Sequence, residues 1–513
     1  LRSRPHSTTR RKLVLILVDS LRTDMLERAV AAGLAPRFGE LLSRGELVPD
    51  CVSSFPSVTP VCTSEIVTGS RSDRHRIPGM NWYHRAERRY VEYGSSWEAT
   101  RTFGLFSALY DTVYNMNMGH LNPEALTLYE RLGDAGLRSA CTPFLIYRGR
   151  TRHELGLDGL LRRAASAAKF HHAVWGPDEL FYGELYASRK VPCKPTLGRP
   201  AVRDDYSACA ASELVERDLY DFLLFSLPDN DHHSHTYGPE ASEASIAHAD
   251  DCFARIADAG GGLDQFLDRN AVILMADHAQ SDVEHDLDLA ELLSEKWHVL
   301  QPNDDTPERA ELAVGPSARA AAVWILREGS RGARLHAGVR DTLGRHPGID
   351  LLAWLGDEDA KPASRRDVGV PAARWATVTR GGAELRFAPG NDATDRRGVG
   401  WRWEGELGVL EAEVSERTVH SAAYPDAFSR LWAALRSPFA GDLLASATPG
   451  YEFVDWGGIS HIPGGSHGSL HAVDSLGPLL TVGLDAEVPA RDQWAISDAA
   501  GLALAHFGLG PSR

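Results

Sequence analysis

Five short blocks of this sequence carry residue types that chemistry would use. Asp19 follows an apolar run from Leu13 to Val18. Thr59 stands before Pro60 in Phe55-Pro56-Ser57-Val58-Thr59-Pro60-Val61-Cys62. Asp231 and His235 are four apart in Asp231-His232-His233-Ser234-His235-Thr236-Tyr237-Gly238-Pro239. Asp277 and His278 are adjacent at the end of another apolar run. His467 sits among glycines in Gly464-Gly465-Ser466-His467-Gly468. An Asp and a His four apart can ligate one ion, and adjacent ligands can do so where the chain turns. Three Asp and three His suit Zn²⁺ best, with Mn²⁺ or Fe as alternatives; Mg²⁺ alone would not favour so much imidazole. Pro60 suits a first helical position, which makes Thr59 the expected N-cap. A hydroxyl there lies among free backbone N–H groups at the positive end of the helix dipole, a setting for an alkoxide nucleophile and a phosphoryl group. Each block alone has a plainer reading: Thr59 as an ordinary cap, the His-rich block as a solvated turn.

The elements that must position these residues are also legible. The runs Leu13 to Val18, Phe222 to Leu227 and Ala271 to Ala276 are continuous and apolar, as strands buried on both faces are. Helical patterns lie between them, around 125–136 and 241–258. The expected fold is α/β: a mainly parallel central sheet with helices on both faces. Ligands bind beyond the carboxyl ends of such strands, and all three runs place acidic residues there. Carboxylates brought together need a cation. Between about 301 and 449 the texture changes to short strands (348–355, 383–387, 401–403) and charged loops such as Gly356 to Arg366, read as a smaller α+β insertion. The chain then returns to the main sheet through a strand at 479–482. The expected organisation is a disordered basic tail over 1–12, catalytic parts over 13–300 and 450–513, and the insertion over 301–449.

Composition narrows the classes. The chain has 513 residues, 43% hydrophobic and 24% charged, with a net charge of −16. That is an ordinary globular mix, without the basic surplus a nucleic-acid-coating protein needs. An acidic protein can still bind a small phosphate compound if metal ions supply positive charge. The six cysteines, all in the first half, form no CxxC pair, so neither a disulfide scaffold nor a zinc ribbon is expected. That fits a reducing, cytoplasmic setting. The chain begins with Leu, so an upstream segment removed from it would reopen localisation. No stretch approaches the roughly 20 apolar residues of a membrane span. Oligomeric state leaves no mark in the sequence.

Taken in order, the five blocks resemble the alkaline phosphatase superfamily, and most its nucleotide pyrophosphatase/phosphodiesterase branch. The resemblance covers roughly 13–300 and 450–485 and leaves out the insertion. It implies one metal held by Asp19, Asp277, His278 and the Thr59 oxygen, and another held by Asp231, His235 and His467. It implies two-metal in-line displacement, with Thr59 attacking phosphorus to give a phosphothreonine that water hydrolyses, and net retention at phosphorus. The substrate is then a small phosphorylated compound with a phosphodiester or nucleotide pyrophosphate bond. A phosphomonoesterase or phosphonate hydrolase of the same superfamily is the alternative, and a catalytically idle phospholigand-binding domain a more distant one.

The sequence departs from the branch at one point. An Asn usually stands three residues after the nucleophile to contact phosphate; here it is Cys62, a poor donor. Asn81 is a candidate replacement, or the N–H groups of the helix start suffice. Trp82 and Tyr83 are candidates to stack on a base, with core packing as the plainer reading. Arg148, in Tyr147-Arg148-Gly149-Arg150, could hold a distal phosphate or lie in a solvated loop. His461 and His471 flank His467 and could orient substrate. The Cys-x-Pro-x-Arg nucleophile site of sulfatases is absent: Cys141-Thr142-Pro143-Phe144-Leu145 and Cys193-Lys194-Pro195-Thr196-Leu197 both lack the Arg.

Overall fold

Strand Lys12–Val18 lies at the centre of an eight-stranded sheet in the computed structural model, which describes residues 10–156, 172–183, 185–194, 203–304, 307–356 and 375–510. It pairs in parallel with Phe222–Leu227 on one side and Asn270–Met275 on the other. Ser139–Cys141 and Glu179–Tyr182 extend the parallel arrangement outward. Leu476–Val482 joins antiparallel to Asn270–Met275 and carries Glu46–Val52 beyond it, also antiparallel. The last part of the chain therefore returns to the sheet of the first part.

The unbroken apolar runs have a direct cause. Leu13, Leu15 and Leu17 enter one core with Ile66, Leu128 and Ala499, whereas Val14, Ile16 and Val18 enter another with Met25, Phe38 and Phe253. Successive side chains point to opposite faces of a strand, so helices on both faces require apolar residues at every position. Helix Leu128–Asp134 lies within the first segment read as helical, and helix Glu243–Ala259 matches the second to within two residues at each end.

Residues between 312 and 447 build a second, nine-stranded sheet, from Leu312–Ser317 to Leu443–Ala447. The short strands read from sequence are here Ile349–Gly356, Ala383–Asp395 and Gly400–Gly405. Two buried arginines tie this sheet's side of the molecule to loops at the main sheet's edge. Arg319, in the turn between Leu312–Ser317 and Ala320–Ile325, donates its backbone N–H to the His467 carbonyl (2.7 Å) and its guanidinium to Asp474 (2.7 Å). Arg430 donates to the carbonyls of Ser54 (2.7 Å) and Leu470 (2.9 Å) and to the Ser475 hydroxyl (2.7 Å).

Two details depart from the sequence reading. The tail boundary at residue 12 is too late: Lys12 opens the central strand, and Arg11 is held by Asp485 at 3.0 Å. Residues 1–9 and most of the 356–366 loop lie outside the described residues. Cys193 and Cys209 form a single disulfide across a separation of 16 residues, where the sequence indicated no disulfide scaffold. Such bonds belong mainly to oxidising compartments, which weighs against a reducing one. Among the described residues, no helix is long and apolar enough to cross a membrane.

Candidate active site

The parallel strands deliver the acidic residues to one edge. Asp19 follows strand Lys12–Val18, and Asp277 lies two residues beyond strand Asn270–Met275. The block 231–239 is helical at its start, not a solvated turn. Helix Asp229–Tyr237 follows strand Phe222–Leu227 and presents Asp231 and His235 one turn apart, with His235 Nε2 3.4 Å from Asp231 Oδ1. His467 arrives from the far end of the chain on a glycine-rich loop. Gly464 is required there, because a Cβ would lie 1.9 Å from the His235 carbonyl oxygen. Gly468 holds φ at +117°, a conformation side chains resist.

Thr59 is the first residue of helix Thr59–Thr68, with Val58 as the cap, one position from the expected register. Its hydroxyl lies 3.3 Å from His278 Nε2. The N–H groups of Val61 and Cys62 both return to the Val58 carbonyl at 3.0 Å. Pro60 has none, so the helix start offers a phosphoryl group fewer free donors than expected.

Two clusters of ligand atoms result, each within 4.8 Å: Asp19, Asp277 and His278, and Asp231, His278 and His467. The first is made of the two Asp and one His expected to join the Thr59 oxygen around one ion. In the second His278 takes the place assigned to His235, which instead closes on Asp231 from the same helix. The rings of His278 and His467 stack at 3.9 Å.

Each imidazole is locked from behind. Nδ1 of His235 meets the Gly465 carbonyl (2.8 Å), Nδ1 of His467 the Ser57 carbonyl (2.7 Å), and Nδ1 of His278 the Ala279 carbonyl (3.3 Å). A ring whose Nδ1 donates to a carbonyl presents a bare Nε2, the form a metal requires. Burial pushes all three down to about 4, so they are neutral at neutral pH. Two of the three carboxylates, Asp19 and Asp277, behave oppositely. Burial, with Asp277 and Asp231 alongside, raises Asp19 well above its usual range, and burial pushes Asp277 up to about 6. Asp19 Oδ1 and Asp277 Oδ2 are buried with no hydrogen-bond partner. Orphaned carboxylate oxygens facing bare imidazole nitrogens form a donor set that fits divalent metal.

Residues beyond the motifs complete the site. Ser20 donates its hydroxyl to Asp231 (2.7 Å) and its N–H to Asp277 (3.2 Å), from a left-handed backbone with φ of 59°. Gln280 donates to Asp231 (2.5 Å), and Asn230 to the Asp19 carbonyl (2.8 Å). Each adjoins a motif residue by one or two positions, the only signal the sequence held.

The substrate-side candidates separate. His461 stacks on His235 at 4.0 Å, beside the site. Burial opposes its charge, but Glu452 at 2.6 Å outweighs this and raises it above the usual histidine value. The buried Cys62 thiol lies 3.2 Å from the Ser53 hydroxyl, and burial raises it strongly. Asn81 binds the Pro316 carbonyl and Asp455. Trp82 is fully buried and stacks on Phe439 at 4.7 Å, and Tyr83 packs edge-on against Tyr90. Arg148 is not in a solvated loop: it is buried, with its guanidinium spent on Glu130 and on the carbonyls of Leu121, Asn122 and Ala125. His471 caps the short helix Ala472–Ser475.

Fold and site together define a phosphoester hydrolase of the alkaline phosphatase superfamily. Residues 13–470 match the type I phosphodiesterase / nucleotide pyrophosphatase family, and the chain belongs to that metal-dependent family. The match runs through the second sheet, so the likeness extends past the framework the motifs marked out. Phosphonoacetate hydrolase from Sinorhizobium meliloti 1021, in complex with phosphonoformate, is similar at 16% identity and a TM-score of 0.53, covering 97% of this chain and 96% of that one. Murine ectonucleotide pyrophosphatase/phosphodiesterase 5 is similar at 13% identity and a TM-score of 0.55, covering 98% and 96%. The human protein of the same name aligns at 12% identity over 98% and 96%, with a TM-score of 0.53. No curated protein matches the sequence.

Proposed function

We propose that this chain hydrolyses a phosphodiester or nucleotide pyrophosphate bond of a small substrate through a phosphothreonine on Thr59. The observation that carries this reading is the Thr59 hydroxyl 3.3 Å from His278 Nε2, against a cluster of unpartnered carboxylate oxygens. Asp19, Asp277 and His278 would hold one divalent ion beside Thr59; Asp231, His235 and His467 would hold a second, with Zn²⁺ the best match to so much imidazole. When bound, the ions supply Lewis-acid activation and neutralise charge on the reacting phosphoryl group. Thr59 loses its proton to solvent and attacks phosphorus, and the leaving oxygen departs on the opposite side. Water then attacks the phosphothreonine from that vacated side and restores the Thr59 hydroxyl. Two inversions give net retention. Ser20 and Gln280 keep Asp231 ionised and aimed, because hydrogen bonds to a carboxylate favour its charged form.

Residues 13–300 and 450–513 are read as the two catalytic parts and 301–449 as an insertion whose Arg319 and Arg430 grip the site's loops. Among the substrate-side candidates, His461 has the support of position, stacked on a proposed ligand. Asn81, Trp82, Tyr83 and Arg148 are read as framework.

The test is hydrolysis of bis-p-nitrophenyl phosphate, p-nitrophenyl phosphate, p-nitrophenyl thymidine monophosphate and phosphonoacetate with Zn²⁺ or Mn²⁺. The two diesters should be cleaved fastest, and Thr59→Ala should abolish turnover. Full activity in Thr59→Ala would remove the nucleophile assignment. Preference for the monoester or the phosphonate would move the chain to the alternative reading, and inertness to all four would favour a ligand-binding role.

A further inference from the structure

A second group of metal-binding side chains lies on the helices behind the sheet. Helix Arg203–Glu216 brings Asp205, and helix Glu243–Ala259 brings His248 and Cys252. One ligand atom from each lies within 4.8 Å of the other two. His248 and Cys252 are four apart on one helix and so share a face, with Nε2 3.8 Å from Sγ. Burial is graded: Cys252 is fully buried, His248 half-buried and Asp205 exposed. Arg255 binds Asp205 at 2.6 Å and keeps that carboxylate turned to the helix pair. Asp204 supplies an independent observation. It is fully buried, and its Oδ2 has no partner. A buried carboxylate oxygen without a donor is compensated by a cation nearby.

We propose that Asp205, His248 and Cys252 form a transition-metal site, separate from the proposed reaction centre, that pins the two helices together. Thiolate, imidazole and carboxylate in one cluster select Zn²⁺ over Mg²⁺ or Ca²⁺. On binding, the Cys252 S–H bond is exchanged for an S–metal bond and the proton leaves to solvent. Three protein ligands with the outer one exposed leave a fourth position to water, so the ion exchanges readily. The site reaches the reaction centre mechanically. The N–H of Asp204 binds Asp229 (3.1 Å) and the N–H of Asp229 binds Asp204 (3.0 Å), which couples the start of helix Arg203–Glu216 to the helix bearing Asp231 and His235. The inference does not depend on which phosphoester the enzyme cleaves.

Cobalt discriminates between the sites, because none of the ligands proposed for the reaction centre is a thiolate. Metal-free full-length protein titrated with Co²⁺ should develop a sulfur-to-cobalt charge-transfer band in the near ultraviolet. Cys252→Ser should abolish the band and lower bound metal by about one ion per chain, and Cys62→Ser should leave both unchanged. Asp205→Asn, at an exposed position, should weaken the Co²⁺ affinity read from the band about tenfold. Should Cys252→Ser fold poorly, His248→Ala reads the same loss from a half-exposed position. Absence of the band at saturating Co²⁺, or its persistence in Cys252→Ser, overturns the proposal and leaves His248 and Cys252 as an ordinary helix pair.

Discussion

Arg319→Met tests whether the second sheet holds the site in shape. Arg319 and Asp474 are both fully buried and pair at 2.7 Å. The guanidinium also donates to the Tyr451 carbonyl (3.0 Å), the Thr448 carbonyl (3.3 Å) and the Ser281 hydroxyl. Asp474 in turn accepts from the Ser469 N–H (3.1 Å) and the Ser281 hydroxyl (2.8 Å), and its carbonyl receives the Ala279 N–H (3.1 Å). It thus binds both the loop of His467 and the segment after His278. Met removes the charge and keeps much of the volume, leaving a buried carboxylate unpaired at a cost of about 3–5 kcal/mol. Against a total stability of about 5–15 kcal/mol the protein should still fold. Urea unfolding of chelated protein should show that loss, and Zn²⁺ affinity should fall about 10–100-fold because second-layer support is disturbed. Arg319→Met/Asp474→Asn removes the stranded charge and should recover most of the stability. A loss below about 1 kcal/mol in the single variant, or a double variant as unstable as the two losses added, would refute the reasoning.

Four further outcomes are expected. Gln280→Leu should weaken metal binding about 10–100-fold by isothermal titration, since it removes a donor to Asp231. Ser20→Ala should lose the hydroxyl's contribution alone, whereas Ser20→Gly should lose about 1 kcal/mol less, because φ there is 59° and glycine is relieved of the left-handed strain. Cys193→Ser should lower stability by about 3 kcal/mol, the chain-entropy value for a loop of this size, unless reductant leaves the wild type equally unstable. Burial, with Asp455 alongside, pushes Glu92 up to about 8 from 4.5, so its contribution is full below pH 4.5 and lost as pH rises through about 8. Glu92→Gln should therefore flatten the fall in urea midpoint across that window, and an unchanged slope would remove Glu92 as its source.

The parts legible in the sequence were those with a local cause. A strand flanked by helices on both faces must be apolar throughout, so Leu13 to Val18 announced a buried strand and located Asp19 at its end. Pro60 marked the start of the helix bearing Thr59 to within one residue. The parts that were not legible depend on distant partners. Arg148 sits in a basic run that resembles a phosphate clamp, yet Glu130 and three carbonyls consume it. Trp82 beside Tyr83 has the composition of a stacking platform, but Phe439, more than 350 residues later, covers it. Arg319 and Asp474 are 155 residues apart and carried no motif.

The acidity of the chain acquires a local meaning from burial. Most of the 70 acidic residues are solvated and weigh little on folding. Asp19 and Asp277 differ, because each keeps a buried oxygen without a donor. Folding metal-free protein must either protonate them or bury charge, and both cost stability near neutral pH. A bound divalent cation removes that cost, so its binding energy is also folding energy. The imidazoles do not offset the carboxylates by themselves, since burial keeps His278 and His467 neutral. A cation held there would also reverse the local sign where the proposed anionic phosphoester docks. Chelation should consequently abolish hydrolysis and lower the unfolding midpoint together, and Zn²⁺ should restore both with one titration curve. Activity lost without any shift in the midpoint would mean that these carboxylates are neutralised by something other than the ion.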